Sequence, residues 1–244
     1  MGLSFGQVQE DVEAVFNVIV GGGIAIVPLD VAYAIIGYKG EAIKKIFAVK
    51  KRSFDKPSGM FACMDHSLAL HRLGEREREI QHALIDEYDL PFSVVAPFDP
   101  SHPALSNVDP YVVDTSSKAG TLDMLLNAGR FHDTLSQLCF DRGKPAFGSS
   151  ANISLTGSKF EVSDIEPELI EVADIVIDHG KSKYANVEGV SSTIIDFCDF
   201  NVIRYGCCYD RLEEIFRDRF AIELRPANKV RRSTEQITIK NKNE

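Results

Sequence analysis

The chain has no Cys-x-x-Cys pair, and its five cysteines, at positions 63, 139, 198, 207 and 208, are odd in number. A disulfide framework is therefore not expected, and the cysteine usage suits a reduced, intracellular protein. No apolar run approaches the ~20 residues that a membrane span needs. Nothing near the start resembles a signal peptide, since SFGQVQEDVE brings charge and glutamine at once. A soluble, cytoplasmic protein is the expectation. Basic residues are in deficit, 27 against 36 acids for a formal charge of −9. That deficit argues against broad coating of nucleic acid but leaves room for a local basic cleft. There is no internal repeat. Cys63, His66 and His71 lie close together in CMDHSLALH, but no second ligand pair follows at a useful spacing. They read as buried or surface side chains, with no metal site.

What is present suits one α/β domain. With 244 residues, 44% of them apolar, a substantial core can form without disulfides or a metal. QVQEDVEAVFNVIV places Val8, Val12, Val15, Phe16 and Ile19 at helical spacing, and Gly21-Gly22-Gly23 ends the helix. IAIVP reads as an interior strand. EAIKKIFAVKKR reads as a helix in which Glu41 can pair with Lys45. GMFACM and PFSVVAPF read as strands, and EREREIQHALIDEY as a charged helix with Ile80, Leu84 and Ala83 inward. Residues 99–119 read as a long loop, and GTLDMLLNAG and FHDTLSQLCF as helices. PAFGSS and DIVIDHG read as strands around an EPELIEVA helix. SSTIIDF and NVIRYG form an expected hairpin, followed by the helix YDRLEEIFRDRF. Residues 1–224 are thus expected to form a mixed sheet with helices around it, and residues 225–244 a polar, basic tail.

Four stretches invite a functional reading. In IVPLDVAYAIIG, Asp30 interrupts two runs that both favour burial. A carboxylate buried without partners costs several kcal/mol, roughly, or protonates, so Asp30 is expected to meet backbone NH groups or a cation. In VKKRSFDKP, Lys50, Arg52 and Lys56 follow a helix. They read either as a capped helix end or as an anion clamp in which Arg52 makes paired hydrogen bonds. In KPAFGSSANISLTG, Ser150, Asn152 and Gly157 follow a strand. They read either as a turn satisfying its own backbone or as donors to phosphate oxygens. In VSSTIIDF and VIRYG, Ser192, Thr193 and Arg204 lie on the hairpin, with Arg204 either solvated or an inward anion ligand.

Taken together and in order, these stretches resemble the YrdC-like family, the threonylcarbamoyl-adenylate synthases. PLDVAYAI aligns with the family's P-T-[DE]-T-x-Y-G-L. Lys50, Arg52, Lys56 and Pro57 match K-x-R-x-x-x-K-P, and Ser150 and Asn152 match S-x-N. Residues 192–196 resemble S-T-V-V-D, and Arg204 with Gly206 matches R-x-G. The resemblance spans about residues 12–216. It implies a twisted mixed β-sheet with surrounding helices and a concave basic cleft, with Asp30 and Tyr33 at its floor. It also implies a nucleotidyltransferase that joins bicarbonate, an amino acid and ATP into a carbamoyl-adenylate and releases pyrophosphate. Lys50, Arg52, Ser150 and Asn152 would be catalytic. Asp30, Tyr33, Lys56, Ser192, Thr193 and Arg204 would bind ligand, and Mg²⁺ would arrive with ATP. A tRNA-modification setting follows, and so does the alternative of a non-catalytic nucleotide- or RNA-binding module. The net charge of −9 weighs against RNA, an objection that Lys229, Arg231, Arg232, Lys240 and Lys242 of the tail soften slightly.

The motif also departs from the family. Leu29 and Val31 stand where it has threonines, Ala34 where it has glycine, and Phe61 where a histidine is common. In Pro91-Phe92-Ser93-Val94-Val95 a glycine and a hydroxyl are lost. The arginine of the family's R-x-P segment has no counterpart near DTSSKAGTLDML, where Lys118 is the nearby cation. These changes suit a less polar acceptor than threonine.

Overall fold

The computed structural model describes residues 4–53 and 56–226. Within them the chain order is α1 (Phe5–Gly21), β1 (Ala25–Val27), β2 (Ala34–Gly37), α2 (Gly40–Val49), β3 (Gly59–Phe61), α3 (Met64–Leu70) and α4 (Glu75–His82). Next come β4 (Phe92–Pro97), α5 (Pro110–Ser116), β5 (Ser117–Lys118), β6 (Thr121–Leu126), α6 (Arg130–Asp141) and β7 (Ala146–Ser150). The chain then forms α7 (Pro167–Val172), β8 (Ile175–Val176), β9 (Ile194–Asp196), β10 (Asn201–Arg204), α8 (Tyr209–Phe220) and β11 (Arg225–Pro226). One mixed sheet runs β11-β10-β9-β4-β6-β3-β7-β2-β1-β8, with β5 paired to the start of β6.

Helix α1 shows how the sequence dictates the packing. The five apolar positions read from its periodicity, Val8, Val12, Val15, Phe16 and Ile19, are its buried residues. Each contributes roughly 1.5–3 kcal/mol relative to exposure. The Ser4 hydroxyl accepts from the Gln7 amide at the N-terminus, and Gly22 at φ +107° closes the C-terminus, a backbone region that glycine enters without steric penalty. In α2, Glu41 pairs with Lys44 at 2.7 Å, one residue short of the expected Lys45.

Three regions differ from the sequence reading. TLDMLL is strand β6 and not a helix: Leu122, Met124 and Leu126 are buried in alternation, the period of 2 that a sheet imposes. Its two-sided apolar look arises because Leu125, on the opposite face, lines a cleft. The long loop at 99–119 contains α5, started by Asp109, whose carboxylate accepts from the Tyr111 amide, with Pro110 in the first turn. Of the expected tail, Arg225 and Pro226 pair in parallel with Asn201 and Val202 of β10. Residues 227–244, with all five of the tail cations named above, lie outside the described residues.

Register places the cleft. Gly59 and Phe61 of β3, Asp123 and Leu125 of β6, Ser93 and Val95 of β4, Ile194 and Asp196 of β9, and Arg204 of β10 share one face. Gly148 lets β7 cross β2 closely, since a Cβ there would sit 2.1 Å from the Ile35 carbonyl oxygen. Among the described residues no helix is long and apolar enough to cross a membrane, and all five cysteines are free.

Candidate functional site

The shared face forms the floor of a cavity of about 780 Å³. Lys50, Arg52, Lys56, Lys118 and Arg204 line it, with Asp123 and Asp196 as its acids among the described residues. The two candidate motifs on distant segments, Lys50–Lys56 and Ser150–Asn152, therefore meet. The contact between them is direct. Lys50 is 1% exposed, and its ammonium donates to the carbonyl oxygens of Ser150 and, at 2.5 Å, Asn152. The Ser154 amide donates back to the Lys50 carbonyl at 2.9 Å. Burial pushes the Lys50 amine down to about 7, with the neighbouring Arg52 charge adding to the effect. The two carbonyl acceptors act the other way and favour the ammonium.

The remaining polar groups are similarly anchored. Arg52 donates from Nε to the Lys56 carbonyl at 2.9 Å and from Nη2 to the Pro57 carbonyl at 2.6 Å. It thereby shapes the bend that carries Lys56. The Ser150 hydroxyl donates to Asn152 Oδ1 at 2.5 Å, and Asn152 Nδ2 donates to the Ile153 carbonyl at 2.6 Å. Arg204 donates from Nε and Nη2 to the Ser192 carbonyl at 3.0 and 2.7 Å, and from Nη2 to Ser192 Oγ at 3.1 Å. Ser192 Oγ lies 3.1 Å from Ser93 Oγ. A guanidinium carries five donors, so each arginine keeps N–H groups for a ligand.

Tyr33, Lys56, Ser192 and Arg204 thus border the cavity together with Lys50, Arg52, Ser150 and Asn152. The Tyr33 hydroxyl points away from it. It donates toward Asp178 Oδ1 (3.0 Å) and the Gly180 carbonyl (2.8 Å), and accepts from the His179 amide at 3.1 Å. Burial pushes its phenol up. Asp30 is a correction: it is not at the cleft floor. Across the bend after β1, Leu29 and Ala32 turn to the cavity, and Asp30 turns to the opposite side, against Gly129. A Cβ on Gly129, which has φ +102°, would lie 2.4 Å from the Asp30 carboxylate. The cation expected beside Asp30 is Lys183, at 3.9 Å. Burial raises the Asp30 carboxyl, and Lys183 opposes the rise. Thr193 is a second correction. It is wholly buried, with Oγ1 donating to the Cys207 carbonyl at 3.0 Å and accepting from the Gly206 amide at 3.1 Å. Its hydroxyl therefore holds the chain behind the cleft. Of the apolar departures, Leu29 and Phe61 line the cavity, whereas Val31 belongs to the core.

Sequence reasoning missed Asp123. Its carboxyl is raised to about 6 by burial, against the lowering fields of Arg204 and Arg52. The available signal is the alternation Thr121, Asp123, Leu125 on one strand face, which a helical reading of the segment hides. His66 and His71, part of the discounted metal cluster, are buried. His71 contacts Ser67 Oγ at 3.1 Å and the Leu122 carbonyl at 3.1 Å.

Comparison with known proteins places this geometry in context. The family model for Sua5, YciO and YrdC proteins, described as "Telomere recombination", matches residues 17–206. No curated protein matches the chain. Among solved structures, the hypothetical protein smu.1377c from Streptococcus mutans UA159 superposes with a TM-score of 0.72 at 17% identity, covering 88% of this chain and 94% of that one. P. abyssi Sua5 complexed with L-threonine gives 0.68 at 20% identity, covering 90% of this chain and 59% of the longer P. abyssi chain. E. coli YciO gives 0.59 at 16% identity, covering 82% of this chain and 90% of that one. At these identities the superpositions report the fold, and the family match extends over most of the chain. The protein belongs to the Sua5/YciO/YrdC family.

Proposed function

We propose that the cleft binds ATP and an amino acid and joins them through bicarbonate into a carbamoyl-adenylate, as a threonylcarbamoyl-adenylate synthase does. The observation that carries this reading is the convergence of Lys50, Arg52, Lys56 and Arg204 with Ser150 and Asn152 around one cavity. Family membership supports it, and one structural neighbour, P. abyssi Sua5, was solved with L-threonine.

In this reaction an ammonium and bicarbonate give a carbamate, releasing one water and one proton. A carbamate oxygen then forms a bond to the α-phosphorus of ATP, and the bond to pyrophosphate breaks. The protein's part is to gather negative groups, exclude water and stabilise charge at phosphorus. Arg52, Lys56 and Arg204 supply the charge. Lys50 acts through the backbone: by holding the Ser150 and Asn152 carbonyls it fixes the end of β7 against the clamp. Mg²⁺ travels with the nucleotide, held mainly by its phosphates and water.

The test is pyrophosphate release by the purified chain with ATP, Mg²⁺, bicarbonate and each amino acid in turn. Release that depends on an amino acid is the expected result. ATP binding without any release would assign the cleft to a nucleotide- or RNA-binding module. A salt-dependent shift of tRNA that persists in Arg52→Ala would then locate RNA outside the cleft.

A further inference from the structure

Asp123 is out of place in a cleft that serves only anions. It stands on the floor within the fields of Arg204 and Arg52, with Gly59 beside it on β3. A carboxylate placed merely to neutralise the arginines would be bonded to them. Here the guanidinium groups spend the bonds described above on the carbonyls of Lys56, Pro57 and Ser192. Among the described residues, Asp123 Oδ1, buried, has no hydrogen-bond partner. Buried polar atoms are nearly always satisfied, and an unsatisfied one at the floor of a cavity points to a donor that a ligand brings. Leu29, Phe61, Val95, Leu125 and Ile194 line the same cavity, and Val95 stands opposite Asp123 in the β4–β6 register. Leu125 follows Asp123 on the same strand face.

We infer that Asp123 is an ammonium subsite, and that the cleft takes a zwitterionic α-amino acid with an apolar side chain. The ligand carboxylate turns to Arg52 and Arg204, its ammonium to Asp123, and its side chain to Leu29, Phe61 and Leu125. This inference rests on the reading of the cleft as an amino-acid and nucleotide site, and it names the acceptor class. It also gives the carboxylate a use in the chemistry. An ammonium must lose a proton before its nitrogen can bond to the carbon of bicarbonate, and Asp123 is positioned to hold that nitrogen.

Calorimetric titration of the full chain tests it, with L-norleucine, hexanoate (the same chain without the amine) and L-threonine, each with and without Mg²⁺ and α,β-methylene-ATP. Norleucine is expected to bind at least about tenfold more tightly than hexanoate, and Asp123→Asn to erase that difference while retaining the nucleotide. Hexanoate bound as well as norleucine overturns the ammonium subsite, and the wild-type comparison decides this even where Asp123→Asn does not fold. Threonine bound as tightly as norleucine overturns the apolar selection. Nucleotide binding with no amino-acid binding overturns the inference and leaves the nucleotide reading standing. Norleucine binding without nucleotide binding supports the inference and removes the adenylate reading.

Discussion

The charged groups on the two walls of the cleft are held on opposite principles. On the β2–β7 side, Lys50, Ser150 and Asn152 close their hydrogen bonds on one another and on backbone carbonyls, and only neutral hydroxyls, those of Ser149 and Ser154, are left without a partner among the described residues. On the β6–β9–β10 side, Arg204 is tied to Ser192, but Asp123 keeps a buried oxygen without a partner. A charge satisfied by its own wall is scaffold, because breaking its bonds costs stability whether or not ligand is present. A wall that leaves a charge unsatisfied gives up stability and waits for a ligand to restore it.

That contrast predicts opposite signs for substitutions within one cavity. Lys50→Ala should lose the most, about 3–5 kcal/mol in urea unfolding, because it strips a buried cation from the two carbonyls it holds. Asp123→Asn should do the reverse. With its carboxyl raised from 3.8 to about 6, the folded chain holds more protons than the unfolded chain between those values. Wild-type stability therefore falls as pH rises through that window, and the full penalty is present above it. The variant should gain about 1–3 kcal/mol above pH 6 and little below pH 4, read from urea midpoints across that range. Ser192→Ala removes one side-chain link between Arg204 and Ser93, and a loss of about 1 kcal/mol is expected in the same assay. The smallest effect belongs to Asp30→Asn. Its carboxylate faces Lys183 across 3.9 Å at a partly open surface, so stability should move by less than about 0.5 kcal/mol.

Asp30 and Asp123 also show what could be read in advance. Both are lone acids inside apolar runs, and the motif resemblance directed attention to the first. The core face of α1, the β9–β10 hairpin and the meeting of residues 50–56 with 150–152 were legible because they rest on periodicity and motif order. The side of a bend that Asp30 takes after Pro28 depends on packing against Gly129, a residue about a hundred positions away. Asp123 was hidden for a different reason. A strand bordered by core on one face and by an apolar-lined cleft on the other loses the polar alternation that marks a half-buried strand. Thr193 illustrates the same limit: it adjoins Ser192 in sequence, but strand alternation sends its hydroxyl behind the cleft.

The central claim is that the tied cations of this cleft form an anion site, and the most direct measurement is calorimetric titration of Mg-ATP into wild type and Arg52→Ala. The account predicts saturable binding to the wild type that weakens by at least about tenfold in the variant. Equal affinity in both, or no binding to a folded wild type, would contradict it.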